Sequence, residues 1–438
     1  MLLYQVGVDL KLLDTRSGRV LPVRPRLRYT TPQAAPATII RNARIIDGTA
    51  SGSQFDGGLW DILIRDGRIA RIEPAGRLVS GAASELDAGG RAVLPGLFNL
   101  HWHVPWPGTP EVGSAAVALA HGVTFLREMG GNIEPDWAQS LAERIEAGQL
   151  LGPHISFVNR VIGMARHSAS VDVDPFDKQT VRAQVERAKA TGASWMKPYM
   201  KIPPVDAEAI ELGHAAGVPV TSHFLFGGSL ARGLDGKEHA FLYYRGENAI
   251  YREDIISAVR AIGTQITPTL AIILLRGISE PLDFTLLDPA WLSSFYAPSI
   301  LADARLRLKA WVPIPAQDRV LAMNLENVRR LYDAQVPIPI GTDIAAPWQE
   351  MGVPLEMQLY RKAGIPPREI IRLATLEAAR CVGVDRDLGS VEVGKLADLV
   401  IIDGDPLADF RVLQNPRWVI VGGAIVTPAE IAKSLQRE

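Results

Sequence analysis

Hydrophobic and polar positions change their period twice along the chain. From Ala37 they alternate over short runs: TIIRNARIID, then WDILIRDGRIARIEP around a turn at Asp66-Gly67, then GGRAVLPG. Alternation broken by glycine-bearing turns is the pattern of half-buried strands and predicts a small β-unit. Residues 1–36 carry strand signals on both sides of TRSG and end in the proline-bearing TTPQAAPA, which predicts an N-terminal extension built as a β-hairpin. After Leu94-Pro95-Gly96 short apolar runs alternate with longer helical stretches, the rhythm of βα units and a parallel sheet. Strands are predicted near 97–103, 122–127, 154–158, 193–198, 218–223, 236–240, 264–270 and 337–343, with helices over 205–216 and 316–334. Eight strands over roughly 280 residues match a (β/α)8 TIM barrel; a doubly wound open sheet satisfies the same periodicity. Alternation returns in LGSVEVGKLADLVIIDGDP and RWVIVGGAIV. The predicted architecture is therefore α/β: a TIM-barrel catalytic domain over 96–384, and a small β-sandwich domain built from both ends of the chain, 37–95 plus 385–430.

Composition narrows the functional classes. The 438 residues are 47% hydrophobic and 21% charged, enough for a substantial core. Forty-six Lys and Arg face 48 Asp and Glu, and no basic run argues for a nucleic-acid partner. One cysteine, Cys381, excludes an internal disulfide and fits a reducing compartment. The first residues, MLLYQVGVDLKLLDTRSG, are interrupted by Asp9, Lys11 and Asp14, so they read neither as a signal peptide nor as a membrane span. A cytoplasmic protein acting on a small molecule is expected, with no nucleic-acid or membrane partner; a homo-oligomer is compatible with this reading.

Chemistry concentrates where the predicted strands end, which in a TIM barrel is the functional face. The first strand closes on FNLHWHVPW, so His101 and His103 point one way and Trp102 the other. Such a pair could be satisfied within a core, but further ligand types end later strands: Lys197 in SWMKPYM, His223 in VPVTSH, His239 in GKEH and Asp343 in PIPIGTD. Two neutral imidazoles on one face chelate an ion, most readily Zn2+, with Mn2+, Fe2+, Co2+ or Ni2+ also suited. Asp343, which alone would read as a helix N-cap, adds an oxygen, and His223 with His239 can hold a second ion. The ammonium of Lys197 cannot ligate a cation, but a neutral amine reacts with CO2 to give a carbamate, a carboxylate able to bridge two ions. Trp106, Tyr199 and Trp348 follow the first, fourth and eighth strands as candidate pocket walls, and His167 in the loop GMARHSASVDVDP is a candidate substrate contact. His121, His154 and His214 read as structural, Cys381 as a small core residue, and no GxSxG nucleophile motif is present.

LPGLFNLHWH, WMKPYM, SHF, GLDGKEH and IGTD together resemble the metal-site motifs of the amidohydrolase superfamily. The tail GSVEVGKLADLVIIDGDP is similar to its C-terminal β-domain, and the likeness runs from about residue 38 onward. Within the superfamily the chain is most similar to the imidazolonepropionase/Xaa-Pro dipeptidase (prolidase)-like branch. The resemblance implies a binuclear metal centre with a bridging hydroxide: His101, His103 and Asp343 on one ion, His223 and His239 on the other, Lys197 between them. It also implies C–N cleavage of a small amide or peptide-like molecule by that metal-activated hydroxide. Asp343 would take the proton and pass it to the leaving group. Ester, lactone or phosphotriester hydrolysis, or an isomerisation or cyclisation, would use the same centre. An inactive binding scaffold is the remaining alternative, and the intact six-residue set argues against it. The loop after the first strand begins VPWPG where this branch often has a glycine- or polar-rich start, so an apolar mouth is expected.

Overall fold

Strands from the two ends of the chain meet in one sheet. In a computed structural model, Ala424–Val426, Trp418–Val421, Leu399–Ile402, Ala92–Pro95, Ala37–Ile45, Trp60–Arg65 and Arg68–Pro74 follow one another, with Ser84–Asp87 also pairing with Ala37–Ile45. The structure describes residues 2–6, 9–23, 32–49, 54–79, 81, 83–104, 111–130, 135–159, 178–199, 203–244, 247–274, 293–296, 298, 301–302, 306, 314–344 and 352–435. Pairing is antiparallel except where Ala37–Ile45 runs parallel to Ala92–Pro95 and to Ser84–Asp87. The sheet is continuous, because Ala37–Ile45 belongs to both halves, with a register irregularity between Ile40 and Ala43. Asn42, at φ 53°, lies within that irregularity. Its inward apolar positions, Ile62 and Ile64 from one half and Val93, Leu399 and Ile401 from the other, form a single core.

The first strands form a three-stranded antiparallel sheet, Leu2–Val6, Asp9–Leu13 and Val20–Val23, with TRSG in the second turn. There the Asp14 carboxylate accepts from the Arg16 amide at 2.9 Å and the Ser17 hydroxyl at 2.7 Å, the local bonding that favours aspartate in turns.

Between the strands of the mixed sheet lies the α/β part. Leu97–Trp102, Val123–Glu128 and His154–Phe157 pair in parallel, as do Thr221–Ser222, Gly236–Glu238 and Gln265–Thr267. Isolated parallel bridges Val158 to Trp195 and Met196 to Val220 connect the two sets. On the other side, the Leu100 amide donates to the Ile340 carbonyl and the Ile266 amide to the Pro337 carbonyl, both at 2.9 Å. Several of these segments are shorter than their apolar runs predict. Proline explains it: Pro198, Pro219, Pro268, Pro337 and Pro339 remove ladder donors near the strand ends.

Helices cover the parallel strands, among them Pro203–Ala215 and Pro315–Asp333, within a residue or two of the predicted ranges. Pro315–Asp333 starts on a proline, whose missing N–H costs nothing there, and buries Leu321, Val328 and Leu331. Trp102 points away from the two histidines, is fully buried, and belongs to the large core that includes Val123, Ile266, Ile340 and Tyr360.

Candidate metal centre

The strand Leu97–Trp102 delivers His101, which is fully buried, and His103 follows at its end, partly open to solvent. Asn99 fixes the neighbouring chain. Its side-chain oxygen accepts from the amides of His101 at 3.2 Å and Thr342 at 3.1 Å, and its NH2 donates to the Thr342 hydroxyl at 3.0 Å. The Asp343 amide then donates to the His101 carbonyl at 2.9 Å. Such close approach requires Gly341: a Cβ there would lie 2.3 Å from Thr267 Cγ2 and 2.8 Å from the His101 nitrogen. Asp343 Oδ1 ends 3.3 Å from His103 Nε2 and 3.6 Å from His101 Nε2. One donor atom from each of the three side chains lies within 4.8 Å of the others, the one such group of His, Cys, Asp or Glu among the described residues.

Outer partners decide which ring nitrogens face inward. His101 Nδ1 lies 2.7 Å from Glu238 Oε2, and His103 Nδ1 lies 2.7 Å from the Gly130 carbonyl. A carboxylate and a carbonyl only accept, so each Nδ1 donates and it is Nε2 that is turned toward the site, with its lone pair available in the neutral ring. Burial, helped by the Lys197 charge, lowers the His101 pKa to about 4, which keeps its ring neutral. Burial pushes the Asp343 carboxyl up, but His101, His103 and Lys197 together hold it well below the usual carboxylate range. A neutral His101 nitrogen beside an ionised carboxylate, with the His103 ring next to both, is a donor set suited to a divalent metal.

Beside this trio, His239 Nε2 lies 3.0 Å from His223 Nδ1, and the His101 and His239 ring centres are 4.9 Å apart. Burial lowers both pKa values well below the usual histidine range, reinforced by Lys237 at His223 and by His223 itself at His239. Lys197 is buried, 3.4 Å from His101 Nε2 and 3.5 Å from the Met129 carbonyl. Burial lowers its pKa, against the opposing pull of Glu238, Asp343 and Glu128. His239, Thr269 and Asp343 have φ of 72°, 50° and 51°, left-handed conformations that side-chain-bearing residues adopt at a cost. All six strand-end residues thus gather at one end of the parallel strands. Tyr199 stacks against His223 with 3.9 Å between ring centres. Trp106, His167 and Trp348 lie outside the described residues.

Residues that sequence reasoning missed lie just behind. Glu238 is fully buried, and Arg127 donates to its other oxygen at 2.8 Å and to the Leu100 carbonyl at 2.7 Å. The Arg127 guanidinium also lies 4.9 Å from the Trp195 ring centre. Against its burial, Arg127 and His101 hold Glu238 well below the usual carboxylate range. Lys237 is buried too, donating to the carbonyls of Glu238 and His239 at 2.6 Å and of Phe241 at 2.9 Å. The available signal was charge inside apolar strands: Arg127-Glu128 in VTFLRE and Lys237-Glu238 in GKEH.

The model of the amidohydrolase family matches residues 92–426, and the chain belongs to that family. It is 23% identical over 378 residues to an adenine deaminase of Chelativorans sp. (strain BNC1), covering 85% of this chain but only 55% of that protein. It is also 23% identical to a 5-methylthioadenosine/S-adenosylhomocysteine deaminase of Syntrophobacter fumaroxidans, over 83% of this chain and 84% of the relative. Among solved structures, a Xaa-Pro dipeptidase with bound methionine in its active site superposes with a TM-score of 0.70 at 21% identity. That match covers 89% of this chain and 100% of the other.

Proposed function

We propose that the chain is a metal-dependent hydrolase that cleaves a C–N bond in a small amide or peptide-like molecule. The observation that carries this reading is the convergence of His101, His103 and Asp343, with each imidazole held from behind so that Nε2 faces the carboxylate. Two divalent ions are proposed, Zn2+ first, with His223 and His239 holding the second. Ions bound there supply Lewis acidity and acidify water. The chain's own residues do the rest. Asp343, the ionised carboxylate facing Nε2 of both His101 and His103, takes the proton of the attacking water and returns it to the departing nitrogen. Lys197 is proposed to bridge as a carbamate, its nitrogen bonding the carbon of CO2 and losing a proton; its burial and lowered pKa support this. Tyr199, with Trp106, His167 and Trp348, is proposed to line the substrate pocket.

The same reading takes the eight parallel segments as a closed (β/α)8 barrel over 96–384, with 37–95 and 385–430 as one β-domain and 1–36 as an extension. It is supported by hydrogen bonds from Leu100 and Ile266 to the 337–340 segment, and by the shared sheet. No helix among the described residues is long and apolar enough to cross a membrane. A cytoplasmic location is proposed, in keeping with the single Cys381.

The test is metal analysis of the purified protein, followed by a panel of N-acyl amino acids, dipeptides and aminopurines, with esters and lactones as comparators. Turnover of a C–N substrate that follows zinc content is expected. Protein that takes up no metal on reconstitution would sink the reading, and turnover confined to esters or lactones would replace the bond type.

A further inference from the structure

Glu356 lies on the helix Gly352–Lys362, is fully buried, and has no part in the chemistry above. Its two oxygens accept from two successive backbone amides, Leu270 at 2.8 Å and Ala271 at 2.6 Å. These amides follow directly on Thr269, a β-branched residue held at φ 50°, where L side chains crowd their own backbone. The Thr269 hydroxyl lies 2.7 Å from His239 Nδ1, while the opposite nitrogen of that ring, Nε2, faces His223. Backbone bonds close the arrangement: the His239 amide donates to the Thr267 carbonyl at 2.7 Å and the Ala240 amide to the Pro268 carbonyl at 2.8 Å.

A β-branched residue keeps a left-handed backbone only when its surroundings over-determine it. Here a buried carboxyl group accepts from the two amides after it, and two backbone bonds grip the strand end beside it. What the strain achieves is the placement of one hydroxyl against one ring nitrogen. We propose that Thr269, locked in its left-handed conformation by Glu356, is a positioning residue that turns His239 so that Nε2 faces His223 to hold a metal ion. This rests on the reading of His239 as a metal ligand. Outer partners that orient a ligating histidine typically change metal affinity by about 10- to 100-fold.

The experiment titrates metal-free protein with zinc against a competing chelator and records the melting temperature of each variant. Thr269→Val removes the hydroxyl and keeps the branched shape; Thr269→Ser keeps the hydroxyl. Thr269→Val is expected to weaken one zinc by about 10- to 100-fold and leave the other zinc and the melting temperature of the metal-free protein unchanged. Thr269→Ser is expected to retain wild-type affinity. Glu356→Gln, which offers an NH2 where one amide needs an acceptor, is expected to weaken the same zinc and speed hydrogen exchange at Leu270 and Ala271. Wild-type zinc affinity in Thr269→Val overturns the positioning role, as does an equal weakening of both zincs accompanied by a lower melting temperature of the metal-free protein. His239→Ala separates the underlying reading: if it binds as much zinc as wild type, His239 is no ligand and the proposal falls with that assignment.

Discussion

His101 and His154 stand at opposite ends of one parallel sheet, and each touches a carboxylate, yet they are driven in opposite directions. At the start of its strand, His154 has Glu146 Oε1 2.5 Å from Nδ1 and Asp398 Oδ2 3.2 Å from Nε2. Burial alone would lower its pKa, but the two carboxylates overcome that and raise it to about 10, so the ring is a cation. At the end of its strand, His101 faces Glu238 at 2.7 Å and drops to about 4. The difference lies in what the carboxylates already hold. Glu238 is engaged by Arg127, and Lys197 adds positive charge near the His101 ring, so burial wins. A histidine at a strand end becomes a lone-pair donor or a cationic clasp according to the charge already neutralised around it.

Substitutions at the two ends should separate these roles, and four are ranked by effect on turnover. Asp343→Asn should lower kcat by about 100- to 10,000-fold if it moves the proton; unchanged turnover at equal metal content would remove that role. Glu238→Gln should weaken metal binding by about 10- to 100-fold, since His101 loses its charged partner. It should also cost about 3–5 kcal/mol in urea unfolding, because Arg127 is left buried beside a neutral group. If His101 needed no orienting carboxylate, zinc titration of this variant would match wild type. Gly341→Ala should destabilise by about 1–3 kcal/mol through overpacking against Thr267 and His101, with a matching loss of metal affinity; stability equal to wild type would show that the two segments can part without penalty.

His154→Gln should leave turnover unchanged and alter stability in a pH-dependent way. The folded pKa of about 10 lies above histidine's ordinary value of about 6.5, so the clasp's contribution is fully present below about pH 6.5 and fades as pH rises through about 10. The difference in melting temperature between wild type and variant should therefore be largest near pH 6 and vanish above about pH 10. A difference that grows with pH would refute the cationic assignment.

Much of the candidate site was legible because residues of metal-ligating type at strand ends break an apolar run at its last polar-tolerant position. His101, His103, Lys197, His223, His239 and Asp343 each do so, and alternation alone puts the first two on one side. Arg127 and Glu238 were not legible in the same way. A buried charge in a strand is costly unless paired, and the pairing partner, more than a hundred positions away, is visible only once the strands lie side by side. Glu356 was hidden for a further reason: its partners are backbone amides, which leave no trace in residue identity. The alternating pattern predicted strands at both ends of the chain, but not the register irregularity at Asn42 in the one strand that serves both halves of the sheet. Boundaries over 193–198 and 218–223 contracted because prolines interrupt the ladder there.

The shared sheet sets a timetable for biogenesis. Ala92–Pro95 is completely buried between Ala37–Ile45 and Leu399–Ile402, and its second neighbour emerges only near the end of synthesis. At about 5–20 residues per second the ribosome needs on the order of tens of seconds to supply it. Throughout that interval an apolar strand edge waits without its mate while the α/β segment between is still being made. A chain so ordered leans on chaperones more than one whose sheet closes locally, and cutting back its C-terminal strands would leave the N-terminal half insoluble rather than merely inactive.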